Sequence, residues 1–232
     1  MAGDRPGGQH VMPDLVLFDC DGVLVDSERL TVGVEARVLT VLGWPMTAEE
    51  VVSRWMGRSS AAQLLEIADR LGAEAASTYD ELSTRDVHAA FDQHLRAVAG
   101  VETVLDHLDR EGVATCVASS GTPDRIRRTL RITGLWDRFE GRVFSAVEVP
   151  QGKPAPDLFL HAASGMAVRP SRCAVVEDSV YGVRAAVAAG MPAYGYAGGL
   201  TSGADLAAAG ATTFEEMRDL VPWPTHSSSS RA

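Results

Sequence analysis

Positive charge is what this chain has least of. Its 21 Lys and Arg residues face 31 Asp and Glu, a formal net charge of −10 at pH 7. A surface of that sign repels a phosphate backbone, which clustered cations would otherwise hold, so a general nucleic-acid-binding role is excluded. An anionic ligand would have to be met by a few locally placed cations. Cysteine is nearly absent too: Cys20, Cys116 and Cys173 are scattered, odd in number and without metal-ligand spacing. Neither a disulfide framework nor a cysteine-ligated metal is expected, and a reducing cytoplasm fits best. No apolar run approaches the ~20 residues of a membrane-spanning helix, and the Gly-rich, polar start has no signal-peptide stretch. A cytoplasmic protein with no membrane association is therefore expected. No internal repeat is visible, and no segment points to an obligate protein partner.

What is present is the balance of a soluble globular protein, 46% hydrophobic and 22% charged. At 232 residues the chain can hold one large α/β unit, or one such unit carrying a smaller insert. Residues 1–11 and 225–232 read as solvated tails, the first rich in Gly and polar groups, the second carrying a serine run. Between them short β-branched runs alternate with Ala- and Leu-rich segments, the signature of a Rossmann-like parallel sheet with helices on both faces. Candidate strands are 15–18, 113–118, 143–145, 174–176 and 193–196.

The last four strands follow one another at βαβ spacing, but a long gap separates the first from the second. That gap contains no convincing strand and four helical stretches, 32–42, 48–54, 61–71 and 80–98. It reads as an inserted α-helical cap domain over residues 29–99, leaving 12–28 and 100–224 as the α/β catalytic core. Ligands of open α/β sheets bind beyond the carboxyl ends of the strands, so an insert entered just after the first strand would overhang the site.

Four segments carry chemistry. The first strand runs into Asp19-Cys20-Asp21-Gly22, two carboxylates two apart at the mouth of a turn. Crowding them there without a cation costs repulsion and desolvation, so the pair invites a metal. Asp26 and Ser27, just beyond, read as caps of the next helix. A second acidic pair, Glu177-Asp178, follows another apolar run. Alone it could simply favour a helix N-terminus; together with Asp19 and Asp21 it can complete an oxygen-ligand site for Mg2+, which keeps several waters and leaves room for a phosphate oxygen. Gly152-Lys153-Pro154 holds a lysine in a defined turn, where it would balance charge. Finally, Ser119-Ser120-Gly121 closes a strand and opens a helix at Thr122-Pro123, offering backbone N–H groups and a hydroxyl to an anion.

In this order, each at the end of an expected strand, these segments resemble the haloacid dehalogenase-like hydrolase superfamily over nearly the whole chain. The helical insert resembles the cap of the subgroup that contains β-phosphoglucomutase, phosphoglycolate phosphatase and small sugar-phosphate phosphatases. The resemblance implies that Asp19 is a nucleophile forming an aspartyl-phosphate, and that Asp21 is the general acid for the leaving group and then the base for water. It implies that Ser119 and Lys153 hold the transferring phosphoryl group, with Ser120 and Gly121 beside them. Asp19, the Asp21 main-chain carbonyl and Asp178 would bind Mg2+, with Glu177 in the outer shell. The implied function is a Mg2+-dependent phosphatase hydrolysing a small phosphate ester, a sugar phosphate or related metabolite, through the aspartyl-phosphate.

Two departures separate the chain from the mutases of that subgroup. Thr31 stands where they carry a His on the first cap helix, and Gly57 is followed directly by Arg58, so their later cap-loop Arg has no counterpart at Ser60. A phosphosugar mutase is the alternative enzyme, and a catalytically idle phosphometabolite-binding module is the alternative from another class. A Rossmann dinucleotide enzyme is disfavoured, because Asp-Gly follows the first strand where a Gly-x-Gly-x-x-Gly turn would be needed. In the cap, Arg58 is the expected specificity residue, whereas Trp55 and Met56 are expected to pack in the cap core.

Overall fold

The computed structural model describes residues 12–55 and 60–224. Six parallel strands form one sheet: β1 (Leu15–Phe18), β2 (Ala114–Ser119), β3 (Val143–Ser145), β4 (Cys173–Glu177), β5 (Ala193–Tyr196) and β6 (Thr212–Phe214). Their spatial order is β3-β2-β1-β4-β5-β6, so the chain winds outward from β1 in both directions. β1 is a continuous apolar run because both its faces are covered. Val16 and Phe18 join a cluster on one face with Val117, Val176, Leu105 and Phe139. Leu15 and Leu17 join another on the opposite face with Cys116, Val175, Phe159 and Val183. The period-2 alternation of a strand thus divides one short segment between two cores.

Five strands coincide with the expected ones to within a residue or two. The sixth, β6, was not expected: it is a three-residue edge strand whose two threonines are exposed, so it carries no apolar alternation to betray it. Helices α5 (Val101–Arg110), α6 (Pro123–Ile132) and α7 (Trp136–Phe139) cover the first face, while α8 (Asp157–Gly165), α9 (Val180–Ala188) and α10 (Gly203–Ala209) cover the second.

Between β1 and α5 lie four helices: α1 (Glu28–Val41), α2 (Ala48–Trp55), α3 (Ser60–Leu71) and α4 (Ala73–His94). They enclose an apolar centre that includes Trp44, Ile67, Tyr79 and Phe91, with Trp44 and Trp55 edge to face at 5.6 Å. Helix α4 starts earlier than the expected residue 80, because good helix formers follow Gly72 directly although they show no apolar stripe. It also ends earlier than residue 98, where Leu95 turns extended (φ −61°, ψ 134°). The residues beyond are the return crossing. Asp26 N donates to Arg96 O at 3.0 Å and Val98 N to Leu24 O at 3.0 Å, so the two chain crossings between the helical layer and the sheet are hydrogen-bonded side by side.

Candidate active site

Strands β1, β2 and β4 are neighbours, and Phe18 is in register with both Val117 and Val176. The residues that follow these positions therefore emerge at one edge of the sheet. Asp19 is fixed there by its own N–H, which donates to Val176 O at 3.0 Å. Ser119 ends β2 and Glu177 ends β4, both essentially buried. Lys153 arrives from the loop before α8 and spans all three strands: its Nζ donates to Asp19 Oδ1 at 2.6 Å, to Glu177 Oε1 at 2.6 Å and to Ala118 O at 3.1 Å. It is the only lysine in the sequence. An ammonium has three donors on a compact head, and here each meets an acceptor. Burial works against its charge, but Asp19 and Glu177 outweigh that and hold Lys153 above the ordinary lysine range. Burial pushes Asp19 the other way, up to about 7, even though Lys153 draws it down.

Asp19, Glu177 and Asp178 bring carboxylate oxygens within 4.8 Å of one another, the one such acidic, Cys or His cluster among the described residues. The roles inside it differ. Both oxygens of Glu177 are engaged, Oε1 by Lys153 and Oε2 by the Ser179 N–H and hydroxyl at 2.8 and 2.9 Å. Asp178 Oδ2 is buried with no donor to satisfy it, as is Oε2 of the nearby Glu28. Burial and then the charge of Glu28 hold Asp178 well above the usual carboxylate range, and burial pushes Glu28 up to about 7. Unsatisfied hard oxygens in a crowded acidic site are what a hard divalent cation would satisfy, so the donor set fits Mg2+. The backbone makes room for them: Gly22 sits at φ +80°, and a Cβ there would lie 1.8 Å from Asp178 Oδ2.

The side chain of Asp21 points elsewhere. Ser27 Oγ donates to its Oδ1 at 2.5 Å, and Arg125 donates from Nη2 to Oδ1 at 3.1 Å and from Nε to Oδ2 at 3.4 Å. Ser27 was expected to cap α1, but its side chain makes no capping bond and serves Asp21. Arg125 was missed altogether. It lies in the first turn of α6, where a cation opposes the helix dipole and needs a reason to be there; Thr122 caps that helix by accepting from Arg125 N. Ser119 Oγ accepts from Gly121 N at 3.1 Å, leaving its hydroxyl proton to donate.

Above Asp21 a cavity of about 440 Å³ separates sheet and helical layer. Ser120, Gly121 and Arg125 line its floor, and Thr31, Trp55 and Gln63 its roof. Trp55 packs in the cap core as expected, 5% exposed. Arg58 and Met56 lie outside the described residues.

Parallel strands whose carboxyl ends gather Asp19, Ser119, Glu177 and Asp178 around one lysine are the layout of a hydrolase of the α/β class. The family model for haloacid dehalogenase-like hydrolases matches residues 13–190, and the chain belongs to that family. It is 30% identical over 186 residues to the 6-phosphogluconate phosphatase of Escherichia coli, covering 78% of this chain and 81% of the relative. It is 30% identical over 215 residues to the phosphorylated carbohydrates phosphatase of Thermotoga maritima, covering 90% and 96%. A haloacid dehalogenase-like protein of Agrobacterium tumefaciens superposes with a TM-score of 0.79 at 34% identity, over 90% of this chain and 96% of that one. The chain is a phosphoric monoester hydrolase with the family's α/β fold.

Proposed function

We propose that this phosphatase is Mg2+-dependent and hydrolyses a small phosphate ester, a sugar phosphate or related metabolite, through an aspartyl-phosphate on Asp19. The observation that carries the reading is the convergence of Asp19, Lys153 and Asp178 at the ends of three adjacent strands, with Asp21 held apart by Ser27 and Arg125. Asp19 would attack phosphorus while the bond to the leaving oxygen breaks, and Asp21 would give that oxygen a proton. Asp21 would then take a proton from the water that attacks the phosphoenzyme, releasing phosphate and restoring Asp19. Lys153, the Ser119 hydroxyl and the Ser120 N–H would hold the equatorial oxygens, with the Gly121 N–H keeping Ser119 Oγ in place beside them, since phosphoryl transfer depends mainly on positioning and charge neutralisation. Mg2+, held by Asp19, the Asp21 carbonyl and Asp178, would supply further charge neutralisation, with Glu177 behind it.

Residues 29–99 would act as a cap that opens and closes about the paired crossings near Asp26 and Val98, excluding water when shut. Three of the relatives are named for a phosphorylated sugar acid, phosphorylated carbohydrates and hexitol phosphates, which supports a substrate of that kind. Hydrolysis is favoured over mutase chemistry because Thr31 Oγ1 donates to Ser27 O at 3.0 Å, and no histidine is among the described residues lining the cavity. The test is a panel of phosphate esters assayed in chelator and in excess Mg2+. Phosphate release should require Mg2+; full activity in chelator would overturn the metal assignment. With β-glucose 1-phosphate and a trace of its 1,6-bisphosphate, glucose 6-phosphate forming faster than free phosphate would overturn hydrolysis.

A further inference from the structure

The roof of the cavity carries a polar cluster that the hydrolytic steps do not use. Glu35 on α1 shares a cavity wall with Gln63 on α3 and Tyr79 on α4, and Gln63 Nε2 donates to the Tyr79 hydroxyl at 2.8 Å; burial raises the Glu35 carboxyl above its ordinary range, while Gln63, Tyr79 and Arg125 oppose the shift. Three helices thus bring one carboxyl group beside an amide and a phenol. Glu35 interrupts an apolar stripe: Val32 and then Val38 and Leu39, one turn away on either side, are buried in the core. A carboxylate at such a position is uncommon unless something requires it. Both Glu35 and Gln63 line the cavity over Asp21 and Gly121.

The charges around that space are unequal. Its described lining holds three carboxyl groups, Asp21, Glu28 and Glu35, against one cation, Arg125, whose charge acts on Glu35 as well as on Asp21. Arg125 is already committed to Asp21, and its guanidinium lies 5.3 Å over the Phe91 ring of α4. A leaving group with its own carboxylate or second phosphate would therefore face Glu35 without an uncommitted cation among these residues, in a space where water screens poorly. Hydroxyl groups have no such difficulty, because each can donate to Glu35 and accept from an amide.

We infer that Glu35 and Gln63 select the leaving group, accepting uncharged polyhydroxyl esters and rejecting those with a second anionic group. The inference rests on the phosphatase reading and adds the substrate class to it. Glucitol 6-phosphate and 6-phosphogluconate form a matched pair of probes, with a hydroxymethyl group in one and a carboxylate in the other at the far carbon. The wild-type enzyme should favour the neutral ester in kcat/KM by about tenfold or more. Glu35→Gln keeps the shape and removes the charge, and should shrink that ratio on the order of tenfold by improving the acidic ester. Gln63→Glu adds a charge to the same wall and should widen it, which keeps the idea testable if one variant fails to fold.

Equal or better use of 6-phosphogluconate by the wild type, or a ratio that neither variant moves, would overturn the inference. If neither ester is turned over, their competition against an aryl phosphate decides: the acid inhibiting as well as the polyol ester, or no inhibition by the polyol ester, also overturns it. Asp19-dependent hydrolysis of the aryl phosphate checks the phosphatase reading separately. If that control fails, calorimetric binding of the two esters still reads the preference.

Discussion

Replacing Gly22 by Ala strikes the point where backbone and candidate metal site are most tightly fitted. Gly22 stands at φ +80°, a conformation that costs an L-residue about 1–2 kcal/mol. The new methyl would sit 1.8 Å from Asp178 Oδ2 and 2.7 Å from its carboxyl carbon, so the carboxylate must move, and overpacking of this kind costs about 1–3 kcal/mol. Together these make a loss of about 3 kcal/mol, or a Tm lower by about 6–12 °C for a chain of this size. Gly43 provides the control. It has φ +90° but nothing within 4 Å of an added Cβ, so Gly43→Ala meets only the backbone cost. The assay is thermal unfolding of parent and both variants in chelator and in Mg2+. At a hundred times its dissociation constant, Mg2+ should stabilise parent and Gly43→Ala by about 2.7 kcal/mol, and Gly22→Ala by clearly less. If the two variants lose the same stability and show the same Mg2+ increment, Asp178 is not held against Gly22 as a metal ligand.

Two further outcomes follow from the same geometry. Ser27→Ala removes the 2.5 Å hydrogen bond to Asp21, and a bond to a charged group contributes about 1.5–3 kcal/mol, so kcat should fall roughly 10- to 150-fold. The loss should be larger for an alkyl phosphate, whose leaving oxygen needs a proton, than for an aryl phosphate; equal losses would remove Asp21 from the acid role. The pH response of the metal-free protein has a definite sign. Asp19 is raised from the ordinary range to about 7, so its contribution to stability is full below about 4 and lost as pH rises through 7. Metal-free Tm should therefore fall between pH 5 and 8 while the Mg2+ increment grows, since the ligands bind deprotonated. A Tm that rises over that interval without metal, with a flat Mg2+ increment, would contradict the burial of Asp19 as an ionisable ligand.

The sheet and its reactive edge were legible because their signals are local. An apolar run ending in Asp19-Cys20-Asp21-Gly22 announces both a covered strand and the turn that ends it. Edge strand β6 is short and exposed, and its pairing comes from the neighbouring strand rather than from its own pattern. Lys153 could be placed more firmly than its turn alone allowed, since a chain that otherwise uses arginine throughout keeps its single lysine there. The partners of Asp21 were hidden for different reasons. Ser27 occupies a helix-start position where a capping role is the natural expectation, and Arg125 reaches Asp21 from a distant helix, a contact that only the tertiary fold creates. Glu35 left a sequence trace, a charge inside an apolar stripe, but its meaning depends on Gln63 and Tyr79 arriving from two other helices.

The central claim is that phosphoryl transfer passes through Asp19. Rapid quenching of enzyme, Mg2+ and a turned-over ester, followed by mass spectrometry of the peptide that contains Asp19 and Asp21, tests it most directly. A transient, acid-stable phosphoryl group should appear on Asp19 before free phosphate does, and should be absent, along with turnover, in a folded Asp19→Asn variant. Phosphate released at the parental rate by that variant, or label found on a different carboxylate, would contradict it.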